Sequence, residues 1–142
     1  MAAQSSPSRP RSARRRKHFS LAEANRSLPL VSRIVRDIVQ YHQAAVDSHV
    51  HMESAATARQ IRDCRENMES SLERMQEYVD ELTKLGVELK DPETGLVDFP
   101  GVHQGREVWL CWRLGEEKVE FWHELQAGFA KRQPASLLDE GL

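Results

Sequence analysis

At Gly86 the spacing of apolar residues along the chain changes, and that change limits the fold more than any other feature. Before it, apolar side chains recur at three- and four-residue intervals; after it, they alternate with polar ones. The first pattern makes a stripe on a helix and the second makes one face of a strand. The chain therefore reads as α+β, with helices first and a sheet after them.

In "SLAEANRSLPLV", Ser20 and Glu23 have the spacing of a capping box, which starts a helix near Leu21. Pro29 disfavours helical geometry at Leu28, so this first piece is expected to be short, with a bend and a restart at Pro29. From Leu30 to about Ser48, Val31, Ile34, Val35, Ile38, Tyr41 and Ala45 form one apolar stripe. After "DSHVHMES", a second helix from about Ala55 to Leu85 places Ile61, Met68, Met75 and Leu82 seven apart. Leu72 and Val79 fill the intervening heptad positions and Arg65 breaks the seam. Gly86 ends it as a left-handed cap. Residues 20–86 are thus expected to form a long antiparallel helical hairpin of coiled-coil character. Two helices leave part of each stripe uncovered.

The cover comes from residues 87–125, read as two β-hairpins in a small antiparallel sheet. One turns at "DPETG", between Val87 and Leu89 on one side and Val97 and Phe99 on the other. The other turns at "GEEK", between Val108–Leu114 and Val119–Leu125. Pairing Leu114 with Val119 sets Arg113 opposite Glu120, Trp112 opposite Phe121 and Leu110 opposite His123. That register gathers Val108, Leu110, Trp112, Leu114, Val119, Phe121, His123 and Leu125 on one face. Trp109, Cys111, Arg113, Glu120, Trp122 and Glu124 share the other. Cys111 and His123 then lie on opposite faces, which speaks against a Cys–His nucleophile pair or a shared metal. A one-residue bulge near Gly115 would reverse this.

Charge and composition bound the rest. Residues 1–19 hold six of the 20 basic side chains and no acid, leaving 14 basic against 22 acidic side chains in residues 20–142, a net −8. The arm is too poor in apolar residues to offset its ordering entropy and is expected to be disordered. It reads as a phosphate-backbone clamp, a transit-like peptide or, most simply, a solubilising tail. Residues 20–133 make one domain and 134–142 a C-terminal tail. Cys64 and Cys111 show no CxxC spacing and no secretory segment precedes them, so the expected compartment is the reducing cytoplasm. No apolar run approaches the roughly 18 residues of a membrane helix.

Candidate chemistry is sparse. His42, His49 and His51 lie near the helical connection, but His49 and His51 point about 200° apart on a helix and do not converge on a metal. His123 reads as a core histidine or, given a carboxylate such as Glu77 or Glu81, as a tuned base. Cys111 reads as a packing residue before a reactive thiolate. Asp98 belongs to the polar sheet face with Glu88 and Lys90, where a carboxylate can orient Arg113 or Arg106. Trp109, Arg113, Trp122 and Glu124 have the composition of a binding hot spot. That face is either open to a partner or covered by Phe129 and the segment after it, and cover by a second subunit joins the two readings. No P-loop, GxSxG elbow, HExxH helix or dinucleotide fingerprint occurs.

The stretches "FSLAEANRSLPLV", "GVELKDPETGLVDFPG", "GREVWLCWRLGEEKVEFWHEL" and "AGFAKR" resemble the bacterial proteins grouped as domain-of-unknown-function family 2203, over about residues 19–133. The resemblance implies a small bacterial protein of helical hairpin plus sheet and brings no activity, cofactor or catalytic residue. Function then reads first as a non-enzymatic interaction or scaffold module, self-associating or docking a partner through Trp109, Arg113, Trp122 and Glu124, with no cofactor. The alternative is a small-ligand or metal-assisted enzyme built on Asp98, Cys111 and His123. Nucleic acid enters only through the basic arm, against the charge of the body.

Overall fold

A computed structural model describes residues 17–135. Two α-helices, α1 (Leu21–Glu53) and α2 (Ala58–Lys84), precede a five-stranded antiparallel sheet. Its strands are β1 (Glu88–Asp91), β2 (Leu96–His103), β3 (Arg106–Arg113), β4 (Phe121–Glu124) and β5 (Gln133–Pro134), side by side in chain order. A 3₁₀ turn, Phe129–Lys131, lies between β4 and β5. The expected disorder of the arm falls on residues 1–16, outside the described residues, as do residues 136–142 of the tail. Residues 17–19 lie against the sheet: Phe19 is buried edge-on to Phe99, and its N–H donates to the Pro100 carbonyl at 2.7 Å.

Both helix starts carry reciprocal capping boxes, Ser20 with Glu23 and Thr57 with Gln60. The bend expected at Pro29 does not divide the first helix, which runs continuously through it to Glu53. An interior proline costs about 3 kcal/mol. Leu28, Val31, Ile34, Val35 and Ile38 are all buried on the same stripe, and each such side chain contributes about 1.5–3 kcal/mol. Packing outweighs the proline. Residues 47–53 of the polar "DSHVHMES" stretch likewise continue α1 for about two turns instead of forming the connection, which is Ser54–Thr57.

The inner face of the sheet meets the first half of α1. Val97, Phe99, Val108, Leu110, Trp112 and Trp122 close the core with Leu82 of α2 and Val87. Gly95 fixes the approach: with φ +76°, it sits where a Cβ would come within 2.8 Å of Leu114 and 2.9 Å of Val35. Beyond Tyr41, stacked on Tyr78 at 5.9 Å, the helices run on without the sheet. There Val46, Val50, Ile61 and Leu72 are exposed.

The sheet holds two antiparallel pairs more than the expected hairpins, β2 with β3 and β4 with β5. Strands β2 and β3 join through Gln104 and Gly105, both at positive φ (53° and 78°), the backbone of a two-residue type I′ turn. Pro100 sits on β2 beyond the end of β1. Its carbonyl points outward to Phe19, so the absent proline N–H removes no bond to β3.

The β3–β4 register departs from the expected one by a single residue. Val108 faces Glu124, Trp109 faces His123, Leu110 faces Trp122 and Cys111 faces Phe121. Trp122 therefore points into the core beside Leu110, while Phe121 and His123 point outward with Trp109 and Cys111. The cause lies in the connecting loop. Leu114 does not pair with Val119, because its N–H donates to the Gly95 carbonyl at 3.0 Å. Asn25 of α1 takes Val119 instead: its Oδ1 accepts the Val119 N–H at 2.7 Å and its Nδ2 donates to the Val119 carbonyl at 3.2 Å. Val119 and Trp122 both face the helices although three residues apart, so strand alternation breaks between them.

Candidate functional site

This register builds a site on the outer face that the expected one forbade. Cys111 is the direct neighbour of Asp98 on β2 and of Phe121 on β4, and His123 lies one pair along, opposite Trp109. Asp98, Cys111 and His123 each offer one donor atom within 4.8 Å of the others, and all three are buried. Among the described residues this is the one group of three histidine, cysteine or acidic side chains that converges on a common point. The histidines near the helical tip form no such group.

His123 is held at both nitrogens. Its Nδ1 lies 2.8 Å from the Glu124 carbonyl, an acceptor only, so Nδ1 carries a proton and donates it. Its Nε2 faces both oxygens of Asp98, at 3.3 and 3.2 Å. One further proton is therefore shared between Nε2 and the carboxylate. Burial alone pushes the imidazolium pKa down, but the Asp98 carboxylate and the Glu124 carbonyl outweigh it, and the His123 pKa is raised above its ordinary value. Neither Glu77 nor Glu81 supplies the carboxylate. Asp98, expected to orient Arg113 or Arg106, pairs with His123 instead. Arg106 goes to Glu124 in a two-point ion pair at 3.1 and 3.2 Å.

Cys111 is fully buried, and burial together with the Asp98 charge pushes its thiol pKa up to about 12, against the opposing pull of Arg132. The Arg132 Nη1 lies 3.9 Å from Sγ. Its guanidinium stacks over Phe121 at 3.9 Å and Phe129 at 4.2 Å, and its Nη2 donates to Glu116 at 2.5 Å. Arg113 also lies over Phe129, at 5.1 Å. The segment after β4 thus covers this part of the outer face.

The four residues expected to form a hot spot do not share a face. Trp109 and Arg113 stay outside, Trp109 beneath the Lys90 ammonium at 5.1 Å, while Trp122 is in the core and Glu124 lies on its side of the sheet. Conversely, Asp98, Cys111 and His123 come together. Sequence reasoning missed Arg132 and Glu116 altogether; an arginine near the chain end and a loop glutamate carry no spacing signal that ties them to Cys111.

A family model described as "Uncharacterized conserved protein (DUF2203)" matches residues 17–135. The chain belongs to this family. The matched span coincides with the described residues and includes Asp98, Cys111, His123, Glu116 and Arg132. Searches of curated proteins and of solved structures returned no match. No helix among the described residues is long and apolar enough to cross a membrane.

Proposed function

We propose that this DUF2203 protein binds a borderline-soft divalent metal ion, zinc in class, through Asp98 Oδ, Cys111 Sγ and His123 Nε2. The observation that carries the reading is the His123 geometry. A histidine that ligates metal through Nε2 characteristically donates Nδ1–H to a carbonyl or carboxylate, which fixes the tautomer and aims the lone pair. His123 does this to the Glu124 carbonyl at 2.8 Å, and Nε2 then faces the Asp98 carboxylate in the cluster that Cys111 completes. One nitrogen, one sulfur and one carboxylate oxygen make a donor set suited to zinc, and three protein ligands leave a position for water or a small ligand.

A cysteine nucleophile fits less well. In a Cys–His–Asp relay, the acid and the thiol engage opposite ring nitrogens. Here Asp98 engages Nε2 and Nδ1 is committed to a backbone carbonyl, so neither ring nitrogen is left to take the thiol proton. A thiol raised to about 12 is also a poor nucleophile at neutral pH unless a metal displaces its proton.

Cobalt titration of chelator-treated protein tests the reading. One ion per chain should bind, with a thiolate-to-cobalt charge-transfer band that Cys111→Ser removes and Asp98→Asn and His123→Ala weaken with the affinity. Stoichiometric binding that keeps the band in Cys111→Ser would overturn it, as would no binding at all.

The far end of the helical hairpin supports a second role, self-association in the manner of a coiled coil. Val46, Val50, Ile61 and Leu72 are exposed there, in the part of the hairpin that the sheet leaves uncovered. Sedimentation of the wild type against Val50→Asp distinguishes a dimer through this end from a monomer.

A further inference from the structure

Cys111 has no solvent-exposed surface, yet it sits on a sheet face that no helix covers. The cover is made by the chain that follows β4. This segment leaves β4 at Leu125, passes Gly128, makes the single 3₁₀ turn Phe129–Lys131 and returns to pair as β5 with β4. Its far end is pinned: Ala135 is buried and its N–H donates to the Glu120 carbonyl at 2.5 Å. Between those ends, the Arg132 guanidinium reaches the thiol.

Arg132 is held from three directions. Phe121 from the sheet and Phe129 from the segment itself both lie against its guanidinium. Glu116, in the β3–β4 loop, takes the ion pair, with the two side chains only 16% and 18% exposed. Glu116 is fixed in turn, since its Oε1 accepts the Arg113 N–H at 2.9 Å and its carbonyl accepts the Trp112 Nε1–H at 3.0 Å. The latch therefore joins the segment to the other loop that borders the site. Gly128 supplies a place to bend: at φ 80° and ψ −178° it holds a backbone state open essentially to glycine alone, and nothing packs where its Cβ would be.

We propose that residues 128–135 form a strap closed over Asp98, Cys111 and His123, with the Arg132–Glu116 ion pair as its latch, and that ions and reagents reach the three side chains only when the latch opens. As a statement about regulating metal entry, this rests on the ligand reading above. As a statement about access, it stands on metal-free protein, where it is tested. Opening needs no loss of the helix–sheet core, because Arg132, Phe129 and Lys131 lie outside it and Ala135, which belongs to it, stays pinned.

The test is the rate of alkylation of Cys111 by iodoacetamide, in excess chelator and in a Cys64→Ser background that leaves one thiol. Arg132→Ala should be alkylated about tenfold faster or more, equivalent to about 1.4 kcal/mol of closed-state stability. Glu116→Gln, which keeps the acceptor for the Arg113 N–H but loses the ion pair, should also be faster. Equal rates in all three proteins would overturn the strap. Slower alkylation in Arg132→Ala would overturn it too, because Arg132 favours ionisation of Cys111 and its loss then acts through charge and not through access. Should Arg132→Ala fail to fold, Glu116→Gln decides alone, with the near-ultraviolet tryptophan signal as its check on packing. Faster alkylation without any protection by added zinc would leave the strap standing and remove the metal reading.

Discussion

His123 and Asp98 have a pH signature that distinguishes them from an ordinary buried pair. Because the folded pKa of His123 is raised, the pair's contribution to stability is fully present below the unfolded value of about 6.5 and is lost as pH rises through the folded value. Metal-free protein should therefore lose denaturation midpoint as pH rises above about 6.5, where the unfolded histidine has already given up its proton and the folded one still holds it. Asp98→Asn removes the carboxylate and leaves burial dominant, so the slope should reverse, stability rising with pH below about 6.5 and levelling off above it. Urea denaturation at several pH values reads the sign; a variant with the wild-type slope would mean that Asp98 does not set the His123 equilibrium. At this scale the sequence was informative about candidates and poor about partners. Asp98, Cys111 and His123 were identifiable as the chemically capable side chains, and Asp98 was correctly placed on the outer face, but nothing in their spacing fixed which of them would meet.

What decided their meeting was one element, the loop between β3 and β4. Strict alternation from Val119 through Phe121 and His123 to Leu125 made a convincing apolar face, and it was wrong by one residue. The loop ends at a residue held by a helix side chain and not by a strand. Asn25 satisfies both the N–H and the carbonyl of Val119, a contact across 94 residues that no local pattern encodes. The Ser20–Glu23 capping box, the Gly86 stop and the turn at Asp91–Gly95 were legible because each is local chemistry. The continuity of α1 through Pro29 was not, because it depends on burial against a sheet encoded far downstream. Asn25→Ala leaves the Val119 N–H and carbonyl without those partners beside the core, and should cost about 1–3 kcal/mol. Asn25→Asp should retain the bond from the Val119 N–H and lose only the one to its carbonyl. If Asn25→Ala also frees the loop, Cys111 alkylation should accelerate in it, since Glu116 is part of the same connection.

Over the whole molecule, stability is distributed unevenly, and the candidate site lies where it can alter that distribution. The core joins the first half of α1, Leu82 of α2 and three neighbouring strands. The outer half of the hairpin has only its two helices, with Cys64 and Met68 partly exposed along α2. Helical amides around Val46–Ile61 should therefore exchange by local opening, and those of β2 and β3 only by global unfolding. Asp98, Cys111 and His123 stand on β2, β3 and β4, so an ion bound to all three ties consecutive strands together. Zinc at about a hundred times its dissociation constant stabilises the folded state by about 2.7 kcal/mol. That increment should appear as slower hydrogen exchange in the sheet amides and should be absent from the hairpin tip, whose opening leaves the site intact. Slowing at the tip as well would mean that zinc binds elsewhere or that the hairpin and sheet open as one unit. Asp98→Asn separates these, because it should abolish the first effect only if the ion sits between the strands.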